Sequence, residues 1–157
     1  MRLALYQPDL PPNVGTLIRL GACLGVPVDI IEPCGFPFSL AAVRRSALDY
    51  APLAEIEPHV SWAAFRAKSR SGRLVLLTTK ASTPYMNAVF AADDTLMLGR
   101  ETAGVPDEVA ACADLRVRIP MRPGLRSLNV AIAAAMVLGE ALRQTGGFAA
   151  TGEDGSG

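Results

Sequence analysis

Residues 96–106 read Leu-Met-Leu-Gly-Arg-Glu-Thr-Ala-Gly-Val-Pro, and residues 116–129 read Arg-Val-Arg-Ile-Pro-Met-Arg-Pro-Gly-Leu-Arg-Ser-Leu-Asn. Two short apolar runs, at residues 95–98 and 115–119, each lead into a loop that glycine or proline punctuates and that carries charged side chains. Loops at the carboxyl ends of strands hold the ligand sites of α/β proteins. We therefore expect these two loops to bind a small organic ligand through backbone amide groups that glycine leaves accessible.

Short apolar runs alternate with helix-like segments along the chain, which predicts an α/β fold with a mainly parallel sheet and helices on both faces. The predicted strands cover residues 2–6, 28–31, 53–56, 74–78, 95–98 and 115–119. The predicted helices cover residues 14–24, 40–48, 61–68, 84–90, 106–112 and 127–144. Asn13, Ser61 and Ser127 are candidate N-terminal caps, and Gly25 is the expected C-terminal stop of the first helix.

The chain is predicted to form a single domain over residues 1–146, because no internal repeat or linker separates a second one. Residues 147–157 are mostly glycine, alanine, serine, threonine and acidic residues, so we expect a disordered tail. Residues 130–138 form an apolar stretch that would cover every face of a helix. Such a helix must be covered on all sides, which favours a subunit interface.

The composition limits the possible partners. The chain has fifteen basic and fifteen acidic side chains, so its net charge exerts no overall attraction on nucleic acid. Arginines nevertheless cluster at Arg44 and Arg45, and again at Arg122 and Arg126. Either cluster could be only a solvated surface, but we predict that Arg44, Arg45, Arg122 or Arg126 contacts RNA backbone.

The sequence also predicts a cytoplasmic location. Met1 leads directly into a strand-like segment, and the longest apolar run, residues 130–139, is too short to span a bilayer. Three cysteines, at positions 23, 34 and 112, show no metal-ligand spacing and fit small buried residues in a reducing compartment.

Several kinds of catalytic chemistry lack their motifs. The loop after the first strand has a single glycine where a dinucleotide-binding fingerprint needs three, and no phosphate-binding P-loop is present. The only histidine, His59, follows a proline far from the two key loops, so we expect it at the surface. Neither a Ser-His-Asp nor a Cys-His mechanism therefore has support, and no metal site is predicted.

Three motifs occur in order along the chain. They are Asn13-x-Gly15-x-x-x-Arg19, then Leu98-Gly99-Arg100-Glu101-x-x-Gly104-Val105-Pro106, then Ile119-Pro120-Met121 with Arg126-Ser127-Leu128-Asn129. Together they resemble the motifs of the knotted SPOUT RNA methyltransferases, over roughly residues 1–146. Leu5-Tyr6-Gln7-Pro8, Ile31-Glu32-Pro33 and Leu48-Asp49-Tyr50 look like the minimal subfamily without an added RNA-binding domain, the tRNA (cytidine/uridine-34) 2'-O-methyltransferases.

This resemblance implies a deep C-terminal trefoil knot and S-adenosylmethionine as methyl donor. The implied reaction is 2'-O-methylation of the ribose of the wobble nucleotide, C34 or modified U34, in the anticodon stem-loop of tRNA, with leucine isoacceptors as substrates. The similar enzymes are homodimers that need no metal. Two departures from the family pattern, Leu98 in place of a frequent phenylalanine and Val105 in place of leucine, affect only the expected shape of the pocket.

The resemblance also assigns site residues. It implies that Arg19 lies beside the target ribose, supported by Asn13, Glu101 and Asn129, and that it acts in the site of the partner subunit. Arg19 could serve as a general base, but guanidinium groups rarely release a proton, so we favour a role in orienting the ribose and neutralising phosphate. The implied cofactor-binding residues are Leu77, Thr78, Gly99, Ile119, Met121, Ser127 and Leu128.

Other interpretations remain open for the sequence alone. Asn13 could be only a helix cap, and Glu101 could be only a partner for a surface arginine. The whole chain could be a catalytically silent knotted RNA-binding protein, a 2'-O-methyltransferase for another tRNA or rRNA site, or an unrelated α/β protein that binds a small molecule.

Overall fold

The computed structural model describes residues 1–46 and 48–150. Its strands are β1 (Arg2–Tyr6), β2 (Val28–Ile31), β3 (Ile56–His59), β4 (Leu74–Leu77), β5 (Thr83–Pro84), β6 (Thr95–Leu98) and β7 (Leu115–Arg118). Its α-helices are α1 (Pro11–Leu24), α2 (Leu40–Ser46), α3 (Trp62–Ala67), α4 (Asp107–Ala110) and α5 (Val130–Thr145). Two 3₁₀ turns, Leu48–Leu53 and Tyr85–Asn87, complete the described elements.

The seven strands form one sheet in the order β3-β2-β1-β6-β4-β7-β5, and every described pairing is parallel. Side chains of β1 alternate between two hydrophobic clusters. Leu3 and Leu5 belong to the cluster that contains the buried residues of α1 and α5, whereas Ala4 and Tyr6 pack with residues of α3 and α4. Helices on both faces leave the central strands buried, which confirms the predicted α/β fold class.

The late strands β6 and β7 lie inside the sheet, on either side of β4. After β5 has formed the sheet edge, the chain therefore returns twice to interior positions. This arrangement agrees with the C-terminal trefoil knot that the resemblance implies; the knot itself stays a prediction.

The helix boundaries depart from the prediction at two caps. Helix α1 starts at Pro11 with Leu10 as its N-cap, so Asn13 lies inside the first turn and is not the cap. Proline suits this position because the first helical N–H groups have no partner within the helix. Helix α5 is capped by Asn129, whose Oδ1 accepts hydrogen bonds from the N–H groups of Ala131 and Ile132, so Ser127 is not the cap either.

Other predicted caps are confirmed, and other predicted strands and helices are shifted or shortened by a few residues. Ser61 caps α3, and Gly25 ends α1 in the left-handed conformation at φ 65°. The third strand forms at Ile56–His59 instead of residues 53–56, because the Leu48–Leu53 turn occupies the preceding segment. The helix predicted at residues 84–90 is only the single turn Tyr85–Asn87.

His59 is buried, so its predicted surface position is wrong. Its Nε2 lies 2.8 Å from Oδ1 of Asp29, a fully buried carboxylate in β2. Arg2 Nε donates to Asp29 Oδ2 over 2.8 Å, and Arg70 Nη2 donates to Asp29 Oδ1 over 2.7 Å. A buried carboxylate needs such partners to offset its lost hydration.

Two of the three cysteines also contradict the expectation of burial, since Cys23 and Cys112 are exposed and only Cys34 is partly buried. Residues 147–150 of the predicted tail form neither helix nor strand, and the rest of that tail, residues 151–157, lies outside the described residues. In the part of the chain that the structure describes, no helix has the length and apolar character needed to cross a membrane.

Candidate active site

The carboxyl ends of four neighbouring strands, β1, β6, β4 and β7, meet at one edge of the sheet because all four run parallel. Leu98 pairs with Leu5 on one side and with Leu77 on the other, while Leu77 also pairs with Val117. The loops that follow these strands therefore start side by side. This edge is the usual ligand-binding edge of a parallel α/β sheet.

A chain of hydrogen bonds joins the three sequence motifs at this edge. Asn13 Nδ2 donates to Glu101 Oε1 over 3.3 Å, and Asn129 Nδ2 donates to Asn13 Oδ1 over 3.0 Å. The other carboxylate oxygen, Glu101 Oε2, accepts from the backbone N–H of Asp9 over 2.8 Å. Glu101 is therefore not merely the partner of a surface arginine, and Asn13 is a connecting residue instead of a helix cap.

Asp9, which the sequence analysis missed, anchors the loop that follows β6. Its Oδ1 accepts from Arg100 Nε and Nη2 over 3.0 Å and 2.6 Å, and its Oδ2 accepts from Thr102 Oγ1 over 2.6 Å. The hydrogen bond from Arg100, followed by that from Thr102, lowers the pKa of the Asp9 carboxyl. The available signal was its position, as the one charged residue in a proline-rich loop at the end of β1.

The loop after β6 closes on itself tightly. Arg100 and Gly104 exchange two backbone hydrogen bonds of 2.9 Å each, and Gly104 has a φ of 65°. A Cβ on Gly99 would lie 2.7 Å from the carbonyl carbon and 2.8 Å from the Cα of Gly104. Glycine is thus required at position 99 by the close approach of backbone, and at position 104 by the left-handed conformation.

The predicted cofactor residues surround the same edge. Leu77 ends β4 and Thr78 follows it, Gly99 follows β6, and Ile119 and Met121 follow β7 as half-buried apolar side chains. Ser127 and Leu128 are exposed in the segment that leads to Asn129. These seven residues carry no charge, and their mixture of apolar side chains and loop backbone fits S-adenosylmethionine, which combines an aromatic base with polar groups.

Arg19 lies outside the hydrogen-bond network. It is exposed on α1, and its Nη2 donates to the Tyr50 hydroxyl over 3.2 Å. Its guanidinium carbon lies 4.5 Å from the centre of the Tyr50 ring. Within one chain, the structure thus brings Asn13, Glu101 and Asn129 together but leaves Arg19 exposed and outside their network.

The four arginines predicted to bind RNA, Arg44, Arg45, Arg122 and Arg126, are all exposed. Arg44 and Arg45 occupy the last turn of α2, and the other two lie in the loop between β7 and α5. Across residues 1–46 and 48–150, none of them forms an ion pair with an acidic side chain.

One cluster has the residue types of a metal site, namely Asp29, Glu57 and His59, whose ligand atoms lie within 4.8 Å of one another. Its carboxylates are already bound by cations: Arg2 and Arg70 contact both, and Lys68 contacts Glu57. Three cationic side chains would repel a metal ion, so we assign this cluster a structural role.

The chain matches the SpoU rRNA methylase family over residues 1–139, and it belongs to that family. The resemblance to the SPOUT RNA methyltransferases is therefore confirmed. The tRNA (cytidine(34)-2'-O)-methyltransferase of Beijerinckia indica is 60% identical over 149 residues, which cover 94% of this chain and 93% of that relative.

Solved structures agree with this assignment. One that concerns the 2-OH methylation of C/U34 on tRNA aligns with a TM-score of 0.83 and 38% identity, covering 91% of this chain and 94% of that chain. An AdoMet-bound rRNA methyltransferase from Sinorhizobium meliloti aligns with a TM-score of 0.78 and 28% identity, covering 90% of this chain and 55% of that chain.

We predict that Gly99→Ala displaces the loop after β6, because the new Cβ meets backbone atoms that cannot rotate away. Overpacking of this kind costs about 1–3 kcal/mol. The variant should lower the melting temperature and weaken S-adenosylmethionine binding about tenfold or more, as measured by calorimetry. Gly139→Ala is the matched control, since Gly139 lies outside the three motifs and its Cβ would meet nothing within 4 Å. Wild-type affinity in Gly99→Ala would contradict the assignment of this loop to the cofactor site.

Proposed function

We propose that this chain is a methyltransferase that uses S-adenosylmethionine to methylate the ribose 2'-hydroxyl of the wobble nucleotide of tRNA, C34 or modified U34. The observation that carries the proposal is the hydrogen-bonded connection of Asn13, Glu101 and Asn129 at the carboxyl edge of the sheet. The relative at 60% identity, aligned over 94% of the chain, supports the same reaction. We further propose the anticodon stem-loop of leucine isoacceptors as the substrate.

The proposed cofactor site consists of Leu77, Thr78, Gly99, Ile119, Met121, Ser127 and Leu128. When bound, S-adenosylmethionine supplies an electrophilic methyl group on a sulfonium, and a neutral thioether is left after transfer. Because the leaving group is neutral, the reaction calls for no metal, and the task of the protein is to align the ribose oxygen with the methyl carbon. The half-buried side chains of Leu77, Ile119 and Met121 would exclude water from the cofactor.

We assign catalytic roles to four side chains. Arg19 orients the ribose and neutralises the adjacent phosphates, since a guanidinium keeps its proton and presents a planar fork of donors. Asn13, Glu101 and Asn129 fix the loops between which the ribose is held. The proton of the 2'-hydroxyl is then released to solvent or to a base other than these four side chains.

Arg44, Arg45, Arg122 and Arg126 are the proposed contacts to the RNA backbone. Their guanidinium groups are exposed and, among the described residues, free of acidic partners, so each can neutralise a phosphate without breaking an ion pair. The chain has no excess of basic residues, so these local contacts, and not its net charge, would attract tRNA. A cytoplasmic location follows from a tRNA substrate.

We propose that the active form is a homodimer. Helix α5 leaves Ile132 57% exposed and Met136 40% exposed, four residues apart on one face, and Leu128 next to its start is 41% exposed. A second subunit would cover this apolar face, as the sequence pattern predicts. Arg19 would then reach the cofactor pocket of the partner, which accounts for its separation from the network of its own chain.

The reaction is tested by mass spectrometry of tRNA. We expect the purified protein, given S-adenosylmethionine and unmodified leucine tRNA, to add one methyl group to the ribose at position 34, located by nuclease digestion. Arg19→Ala should reduce the rate by about a hundredfold or more, the size expected for losing a group that stabilises the transition state.

Three other outcomes would overturn the proposal. Methylation at a different tRNA or rRNA position would assign another substrate. Cofactor binding without methylated product on any tRNA would indicate a catalytically silent RNA-binding protein. Absence of cofactor binding would indicate an unrelated small-molecule binder.

The action of Arg19 in the partner's site is tested with mixed dimers. Arg19→Ala, whose cofactor pocket is intact, is co-expressed with a Gly99 variant whose bulky side chain, such as that of Gly99→Trp, fills the pocket but leaves Arg19 in place; each variant alone is expected to be inactive. Random pairing makes half of the dimers mixed, and each mixed dimer has one complete site out of two, so roughly a quarter of wild-type activity should return. If verified heterodimers are as inactive as their parents, Arg19 acts within its own subunit.

A further inference from the structure

The side chain of Tyr50 has no role in the site described so far, although it contacts the guanidinium of Arg19 through both a hydrogen bond and its ring. Tyr50 is half-buried in the Leu48–Leu53 turn, which packs against both α1 and α2. The Tyr50 ring is therefore held by the fold, whereas Arg19 projects from the exposed face of α1.

Tyr50 contacts Arg19 in two ways at once. The guanidinium carbon lies 4.5 Å from the ring centre, within the range of a cation–π interaction. Arg19 Nη2 also donates to the phenolic oxygen over 3.2 Å. One contact sets the height of the guanidinium above the ring, and the other sets its rotation. A guanidinium has five N–H donors, so four remain for phosphate and ribose oxygens.

We propose that Tyr50 is a positioning residue for methyl transfer: it holds the Arg19 guanidinium in a single orientation before RNA binds. This inference rests on the proposed role of Arg19 in catalysis. An unrestrained arginine on a helix surface samples many rotamers, and ordering it costs conformational entropy. Tyr50 restricts the Arg19 side chain before RNA binds, so loss of Tyr50 should lower the rate of methyl transfer and not the affinity for tRNA.

The experiment compares Tyr50→Phe, which keeps the ring, with Tyr50→Leu, which removes both contacts. We expect kcat to fall about threefold in Tyr50→Phe and about tenfold in Tyr50→Leu. The KM for tRNA and the Kd for S-adenosylmethionine should stay within about twofold of wild type, because Tyr50 touches neither. A large rise in the KM for tRNA would instead mean that Tyr50 stacks directly on a base, which contradicts the proposal.

A double-mutant cycle shows whether Tyr50 acts through Arg19. Tyr50→Leu should slow single-turnover transfer about tenfold in the wild-type background and less than twofold in Arg19→Gln, because the group that it positions is gone. Equal losses in both backgrounds would contradict the proposal. If Arg19→Gln retains full activity, the proposed role of Arg19 fails; if it loses activity while Tyr50→Leu does not, only the present inference fails.

A readout independent of activity is the NMR relaxation of the Arg19 Nε–H group. Its order parameter should fall in Tyr50→Leu, which loses both contacts, and take an intermediate value in Tyr50→Phe, which keeps the ring contact. Arg44 is the control, because it is also exposed and, among the described residues, forms no hydrogen bond or cation–π contact with Tyr50. An Arg19 side chain that is as mobile in the wild type as in Tyr50→Leu would contradict the proposal even if every variant is inactive.

Discussion

The two hydrogen bonds that the Glu101 carboxylate accepts are the interaction on which the candidate active site depends. Its two oxygens accept from two different loops, one hydrogen bond from the Asp9 backbone and one from the Asn13 side chain. Asn13 in turn accepts from Asn129, and Asn129 caps α5. A single half-buried carboxylate thus connects segments that are about ninety residues apart in sequence, and Asn13 extends the connection to the N-cap of the last helix.

The parallel sheet makes this connection possible. Because β1, β6, β4 and β7 are neighbours that run in one direction, the loops after them start close together without any further folding step. Loop backbones, unlike strands, have no ladder to fix their conformation. Here two backbone hydrogen bonds between Arg100 and Gly104 close the loop after β6. The Asp9 carboxylate, in the loop after β1, accepts hydrogen bonds from Arg100 and Thr102 and so connects the two loops. The consequence is a site that is preorganised by hydrogen bonds between loops.

Sequence patterns predicted the buried strands well, since a strand covered on both faces is a continuous apolar run. They failed at β3, because Glu57, Pro58 and His59 do not form an apolar run. The polar side chain of His59 is instead buried against the carboxylate of Asp29, which Arg70 also contacts. They also misread Asn13, because an asparagine that caps a helix and one that bonds to a distant carboxylate look the same in sequence. The motifs carried the residues of the candidate site, but the contacts of Asp9 with the loop after β6 and of Tyr50 with Arg19 are tertiary and could not be read from the sequence.

The central claim, that Glu101 organises the site, is tested most directly by the methyl-transfer rate of Glu101→Gln. Both partners of the carboxylate are donors, so an amide can satisfy only one of them, and the unpaired group costs about 1–3 kcal/mol. We expect the rate to fall tenfold or more, while the exposed control Glu108→Gln keeps the wild-type rate. A Glu101→Gln enzyme that transfers methyl groups as fast as the wild type would contradict the account.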